Sequence, residues 1–219
     1  MTGGEDGNIN AVLDHPQSPT EAWKTLMEGN RRFVESSASH PNQDATRRTS
    51  LLSTQHPFAI IFGCSDSRLA AEIIFDLGLG DAFVVRTAGH VIDNTALGSI
   101  EYGVEYLNVP LIVVLGHDSC GAVTATKNAV ATGEMPVGFV RDLVERITPS
   151  VLTSLRENKD SDIGDMVEEH VKQTAARLVE NSPIIASAVA RQKTAVVGLT
   201  YRLNDGRADL VYSNGSITA

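Results

Sequence analysis

Four unbroken apolar runs, rich in β-branched residues, recur along this chain of 219 residues, and stretches with helical spacing separate them. Strands that are apolar on both faces are typical of parallel sheets that helices cover on both sides, because half-exposed strands alternate apolar and polar residues instead. The runs are PFAIIFG at 57–63, AFVVR at 82–86, PLIVVLG at 110–116 and TAVVGLTYRL at 194–203. The sequence therefore predicts a three-layer α/β fold around a central, mostly parallel sheet of four strands.

The connecting stretches predict six helices with apolar residues at helical spacing. Thr20 is a candidate cap for the first helix, and Ser182 followed by Pro183 marks the start of the last. Asn-Asp-Gly at 204–206 is typical of a hairpin turn, so the segment at 207–213 is predicted to be an antiparallel strand at the sheet edge. The charge-rich helix is expected to lie on the outside, with a solvated face. The predicted helices cover 20–34, 94–107, 119–131, 137–155, 160–180 (the charge-rich one) and 183–191.

Length and a hydrophobic content of 42% are sufficient for one sizeable core. We therefore expect one domain over 20–219, preceded by a mobile leader over 1–19. The first residues lack the basic start and apolar middle of a signal peptide, which favours a cytoplasmic protein. A net charge of -9 argues against nucleic acid or an anionic membrane as the main partner. No apolar run approaches the ~18 residues that a membrane-spanning helix needs.

Both cysteines of the chain, Cys64 and Cys120, lie in motifs at the ends of predicted strands. A cytosolic domain of this size does not need a disulfide, so metal binding or catalysis is the better interpretation, with inert buried thiols as the alternative. Ligands of parallel sheets bind beyond the carboxyl ends of the strands. If the first and third strands are neighbours, the motifs CSDSR and GHDSCG bring four side chains together: Cys64, Asp66, His117 and Cys120.

Two thiolates and an imidazole form a nitrogen and sulfur ligand set that suits zinc. Three strong ligands leave a fourth position open, which is typical of a catalytic zinc rather than a structural one. Asp66 could fill that position, or it could pair with Arg68, whose guanidinium matches a carboxylate in bidentate fashion. In the second case water takes the fourth position, and the two residues form a switch between a closed and an open metal. A surface ion pair without function is the alternative.

The two-part motif, CSDSR at 64–68 with GHDSCG at 116–121, resembles that of the β-class carbonic anhydrases. EGNRRF, VVRTAGH and GSIEYGV also look like stretches of this family, so the resemblance runs from about residue 20 to the end. It implies one zinc per chain, held by Cys64, His117 and Cys120, with Asp66 and Arg68 as the gating pair. It further implies that Gln55 helps to hold substrate across a dimer interface and that the Gly121 N–H hydrogen-bonds bicarbonate.

The resemblance also implies the reaction. Zinc-bound hydroxide would attack CO2 and release bicarbonate and a proton, which makes the chain a lyase that works as a homodimer or a dimer of dimers. Ala88 and Val91 are candidate walls of the CO2 pocket, and His90 is a candidate proton carrier. The sequence departs from the family at Thr87, where asparagine is frequent, and at Ile61, where some members have a tryptophan beside a regulatory bicarbonate. A related zinc hydrolase acting on carbon disulfide and a non-catalytic zinc or redox module are the alternative functions.

Overall fold

A five-stranded sheet forms the centre of the computed structural model, which describes residues 15–217. Its strands, in chain order, are β1 Ala59–Cys64, β2 Ala82–Thr87, β3 Leu111–His117, β4 Ala195–Tyr201 and β5 Ala208–Asn214. They lie side by side in the order β2-β1-β3-β4-β5. The first four are parallel, and β5 runs antiparallel to β4 at one edge. The predicted α/β class, the four parallel strands and the antiparallel edge strand are confirmed.

Eight α-helices connect or flank these strands within residues 15–217. They are α1 Pro19–Val34, α2 Ala45–Ser50, α3 Ala71–Ile74, α4 Asn94–Glu105, α5 Gly121–Thr132, α6 Val140–Glu157, α7 Ile163–Asn181 and α8 Pro183–Ala190. All six predicted helices are present, with ends within three residues of the prediction. The sequence analysis missed α2 and α3, since helices of six and four residues are too short to show a period.

The predicted caps had different outcomes. Ser182 caps α8, because its hydroxyl accepts the Ile185 N–H at 3.2 Å. The prediction of Thr20 as the cap of α1 was wrong: the cap is Ser18, whose hydroxyl accepts the Glu21 N–H at 3.2 Å while the Glu21 carboxylate accepts the Ser18 N–H at 3.2 Å. This reciprocal pair satisfies two backbone donors at once. The helix consequently begins at Pro19.

Helix α7 is not the purely outer helix that its charges suggested. It packs on β3 and β4, and one complete face of it is buried. The buried residues recur three or four positions apart, at Met166, Val167, His170, Val171, Thr174, Ala175 and Leu178. The charged residues lie on its other face, where Lys172 pairs with Glu168 at 2.6 Å. The acidic and basic residues of this segment therefore suggested an outer helix, although α7 contributes one face to the core.

The order of the strands determines where the functional side chains meet. Strands β1 and β3 are adjacent and buried along their whole length, with Ala59 opposite Leu111 and Gly63 opposite Leu115. Because both strands are parallel and in register, their carboxyl ends lie at the same edge of the sheet. Cys64 ends β1 and His117 ends β3, so the two residues are brought together there.

The predicted leader falls largely on residues 1–14, which lie outside the described residues. His15, the first described residue, lies beside the start of the sheet, with its Nε2 3.6 Å from the Asp81 carboxylate and its ring 5.4 Å from that of Phe58. Among residues 15–217, none of the helices combines the length and the apolar character that a bilayer span requires.

Candidate metal centre

Three buried side chains with metal-binding atoms converge at the carboxyl edge of β1 and β3. Cys64 and His117 end these strands, and Cys120 lies immediately before α5. Their ligand atoms all lie within 4.8 Å of one another. Residues 56 positions apart along the chain, from Cys64 to Cys120, thus share one small volume, as expected for neighbouring strands.

His117 presents its Nε2 to this volume. Its Nδ1 lies 2.7 Å from the carbonyl oxygen of Asp118, and because a carbonyl only accepts, Nδ1 carries the proton. Nε2 therefore keeps a lone pair, yet it is buried and has no hydrogen-bond partner among the described residues. Leaving a buried polar atom unpaired costs free energy, so the unpaired Nε2 indicates that this atom binds a ligand. Together with two thiols it forms the donor set that zinc prefers, and the cluster fits this metal.

The electrostatics of the cluster favour a thiolate at Cys64. The hydrogen bond from the Cys120 thiol, more than that from the Gly89 N–H, holds the pKa of Cys64 well below its usual range in spite of burial. The same pairing, together with burial, raises the pKa of Cys120. Burial alone would lower the pKa of His117, but the negative charge of the nearby Cys64 raises it. Since a thiolate is the form that binds metals, Cys64 is prepared to bind one.

Asp66 lies at the edge of the cluster and is held by Arg68. The Arg68 Nε donates to one carboxylate oxygen at 2.9 Å, and its Nη2 donates to the other at 2.7 Å. The side-chain hydrogen bond from Arg68 is the main reason that the pKa of Asp66 lies far below its usual range. The nearer Asp66 oxygen is 3.8 Å from the His117 Nε2. Asp66 thus belongs to a bidentate pair here, and its role as a fourth metal ligand stays a prediction.

The sequence analysis missed two residues that shape this site. Arg86, near the end of β2, donates to the carbonyl oxygens of Cys64 at 3.0 Å and Asp66 at 2.6 Å, which fixes the turn after β1. Gly89 donates its backbone N–H to the Cys64 sulfur at 3.3 Å. Both lie in the VVRTAGH stretch, which was noted for its resemblance but not for a role. A glycine two residues after a strand was the available signal.

Two further predicted residues, Gln55 and Gly121, are not part of the cluster. Gln55 is exposed and lines a cavity that none of the three clustered side chains lines. Gly121 is exposed at the start of α5, and a side chain placed there would meet nothing within 4 Å.

His90, named above as one candidate proton carrier, does not lie at the surface. It is 0% exposed, and burial lowers its pKa well below the ordinary value. Of the two candidate pocket walls, Val91 is buried and Ala88 is exposed.

The comparisons with known proteins agree with one another, because each match described below is a carbonic anhydrase. A family model described as carbonic anhydrase matches residues 59–208, a span that does not include Gln55. The carbonic anhydrase of Mycolicibacterium smegmatis is 56% identical over 200 residues, covering 91% of this chain and 97% of that protein. Carbonic anhydrase 2 of Mycobacterium tuberculosis is 55% identical, covering 91% and 96%. The solved structure of the β-carbonic anhydrase CafA of Aspergillus fumigatus has a TM-score of 0.68 and 26% identity, covering 86% of this chain and 89% of that one.

Proposed function

The chain belongs to the β-class carbonic anhydrase family, and on that premise we propose that it catalyses the reversible hydration of CO2 to bicarbonate and a proton. One observation carries the proposal. The buried cluster of Cys64, His117 and Cys120 presents a nitrogen without a partner among residues 15–217 beside two sulfurs. Zinc is the cofactor that this donor set and the family have in common.

We assign Cys64, His117 and Cys120 as the ligands of one zinc ion per chain. Zinc at this position would lower the pKa of a water molecule and so supply hydroxide near neutral pH. Backbone hydrogen bonds orient two of these ligands. The Asp118 carbonyl fixes the tautomer of His117 so that its Nε2 can bind the metal, and the Gly89 N–H orients the Cys64 sulfur. Such partners of ligands typically affect metal affinity or activity by about 10–100-fold.

Asp66 orients the attacking oxygen in this proposal. It is an ionised carboxylate beside the cluster, so it only accepts hydrogen bonds, and accepting one from the attacking oxygen turns a lone pair of that oxygen toward CO2. Arg68 holds Asp66 in this orientation through two parallel hydrogen bonds. For Asp66 to act as a fourth zinc ligand, this fork would have to open. In the proposed switch, the Asp66 carboxylate thus leaves Arg68 and binds the metal instead.

Gly121 supplies a donor for the product. It is the first residue of α5, and the first N–H groups of a helix have no acceptor within the helix. They attract anions. Because no side chain covers Gly121, bicarbonate can approach its backbone closely. We propose that this N–H hydrogen-bonds bicarbonate.

We propose that the active unit is a homodimer, alone or paired into a dimer of dimers, in which Gln55 completes the pocket of the partner subunit. Gln55 is exposed and lies among apolar side chains that face solvent in the single chain. Leu52 is 83% exposed, and Leu79 and Tyr102 are also exposed. Contiguous exposed apolar residues mark protein interfaces. Sedimentation at assay concentration tests this proposal, and fully active monomers would contradict it.

We also propose a single catalytic domain over 20–219 and a cytoplasmic location. Residues from α1 to β5 contribute to one continuous core, which supports the single domain. A reducing compartment keeps thiols available for a metal, which supports the location. Deleting residues 1–14 should leave the CO2 hydration rate unchanged, and cell fractionation should recover the protein with the cytosol.

The assay that tests the proposed reaction measures CO2 hydration and carbon disulfide hydrolysis side by side on the zinc-loaded protein. We expect CO2 hydration well above the uncatalysed rate and no turnover of carbon disulfide. Turnover of carbon disulfide alone would favour a related zinc hydrolase instead. Neither activity, with zinc bound, would favour a non-catalytic zinc or redox module. Asp66→Asn provides the matched variant, because it keeps the shape of the side chain and removes the charge.

A further inference from the structure

Gly89 connects the candidate metal centre to the interior of the protein. On one side, its N–H donates to the Cys64 sulfur at 3.3 Å. On the other, its carbonyl oxygen lies 3.0 Å from Nε2 of His170, a residue of α7 that is 81 positions away in the chain. His170 is 2% exposed and is not part of the metal-binding cluster. Hydrogen bonds on both sides of Gly89 thus link the buried side chain of His170 to the metal-binding cluster.

The contacts of His170 define its protonation state. The Gly89 carbonyl only accepts hydrogen bonds, so Nε2 of His170 carries a proton. Burial lowers the pKa of His170 to about 4, so the ring is neutral at physiological pH and Nδ1 is an acceptor. The Ser150 hydroxyl lies 3.0 Å from Nδ1, and its one proton is donated to Oε1 of Gln173 at 3.0 Å. A neutral ring that carries its proton on Nε2 is the Nε2–H tautomer, and the Gly89 carbonyl holds the proton there.

Gly89 needs an external constraint because of its backbone conformation. Its φ is 63° and its ψ is 24°, in the left-handed region. Glycine adopts negative φ values about as readily, and a different conformation would turn the N–H away from Cys64. The Ala122 and Ile147 side chains close the space around its Cα, but they make no hydrogen bond that orients the peptide. The hydrogen bond from His170 supplies that orientation.

We propose that His170 is a positioning residue of the zinc centre, which by donating to the Gly89 carbonyl holds the Gly89 N–H on the Cys64 sulfur. This inference rests on the proposed zinc site. A hydrogen bond to a thiolate withdraws electron density from the sulfur, so it influences how strongly Cys64 donates to a metal. His170 thereby acts on the metal centre without touching a ligand.

Two variants of nearly equal shape separate hydrogen bonding from packing. His170→Gln retains an amide N–H at about the position of the imidazole Nε2, whereas His170→Met has a similar length and no donor. Each is prepared with Co²⁺ in place of zinc, because the sulfur-to-cobalt charge-transfer absorption reports on the thiolate ligands. We expect the glutamine variant to keep the wild-type spectrum. The methionine variant should absorb at longer wavelength, because the sulfur regains electron density. It should bind Co²⁺ roughly tenfold more weakly in competition with a chelator, because the sulfur is no longer held in its orientation.

The proposal is overturned if the methionine variant retains the wild-type absorption and affinity, or if the glutamine variant shifts as far as the methionine variant. A measurement on the wild type guards against a methionine variant that does not fold. In ¹⁵N-histidine NMR of the zinc-loaded protein, the His170 signals, identified by their loss in His170→Gln, should show a neutral Nε2–H ring from pH 6 to 8. A neutral Nδ1–H ring or a cationic ring would contradict the proposal. None of these measurements uses CO2. A wild type that lacks CO2 hydration would therefore overturn the proposed function, whereas the spectra and the Co²⁺ affinities would still test the role of His170.

Discussion

Replacing Gly89 by alanine tests how the glycine after β2 supports the metal centre. The substitution has two costs. An L-residue in the left-handed region, at a φ of 63°, costs about 1–2 kcal/mol. The new Cβ would lie 2.8 Å from the Ala122 Cβ and 2.9 Å from the Ile147 Cδ1, and overpacking of this kind costs about 1–3 kcal/mol. We expect a loss of about 2–5 kcal/mol, which for a chain of this length lowers Tm by roughly 4–20 °C.

The assay is thermal unfolding of the zinc-loaded protein, with zinc content measured on the same samples. Gly98→Ala is the matched control, because Gly98 lies in α4 and a Cβ there would meet nothing within 4 Å. Alanine in a helix is favoured over glycine by about 0.5–1 kcal/mol, so the control should be as stable as the wild type or slightly more stable. A Gly89→Ala protein with wild-type Tm and full zinc would refute the reasoning about this position.

Substitutions at three further positions test other parts of the account. Arg68→Ala should remove most CO2 hydration while zinc stays bound, because Asp66 loses its bidentate partner; Arg68→Lys should retain an intermediate kcat, and equal rates for the two would contradict the role of the fork. Hydrogen bonds from Ser39 and Arg32 outweigh burial and lower the pKa of Asp76 to about 2, so its stabilising charge acts fully above about pH 4 and is lost as pH falls toward 2. Asp76→Asn should therefore lower the free energy of unfolding at pH 7 by about 2 kcal/mol in urea, and a difference that persists unchanged at pH 2 would refute this. Gln55→Ala should lower kcat/KM roughly three- to tenfold with zinc content unchanged, whereas an unchanged kcat/KM would exclude Gln55 from the pocket.

The strands were predictable because burial on both faces leaves a strong signal in the sequence. Runs such as PFAIIFG have no polar position, as is typical of strands in a parallel sheet that helices cover on both faces. Their spatial order was not predictable from this pattern, because every buried strand looks alike. The convergence of the two motifs was therefore conditional on β1 lying beside β3, and the structure supplies that condition.

Local chemistry explains the errors in the sequence analysis. Ser18 and Thr20 are both good caps, but only Ser18 has a glutamate three residues later to complete the reciprocal pair. In α7 the charged residues suggested an outer helix, although buried residues recur along it at helical spacing. His90 was one candidate for a proton carrier, but its ring is buried against that of His170, with 4.5 Å between their centroids.

The contacts around the cluster were beyond the reach of a sequence pattern. Arg86 binds the backbone carbonyls of Cys64 and Asp66, and a carbonyl group has no residue identity to recognise. His170 reaches Gly89 from a distant helix, and only the packing of α7 on the sheet brings the two together. Ligand residues can therefore be predicted from motif spacing, whereas the residues that orient them depend on tertiary structure.

The most direct test of the central claim measures zinc per chain and CO2 hydration on the same preparations of the wild type and Cys120→Ala. Ser65→Ala, an exposed position beside Cys64, serves as the control for zinc content. The account predicts one zinc per chain and rapid CO2 hydration in the wild type, zinc retained in the control, and loss of both zinc and activity in Cys120→Ala, because a ligand of the metal has been removed. Full zinc with undiminished CO2 hydration in Cys120→Ala would contradict the assignment of this cluster as the catalytic centre.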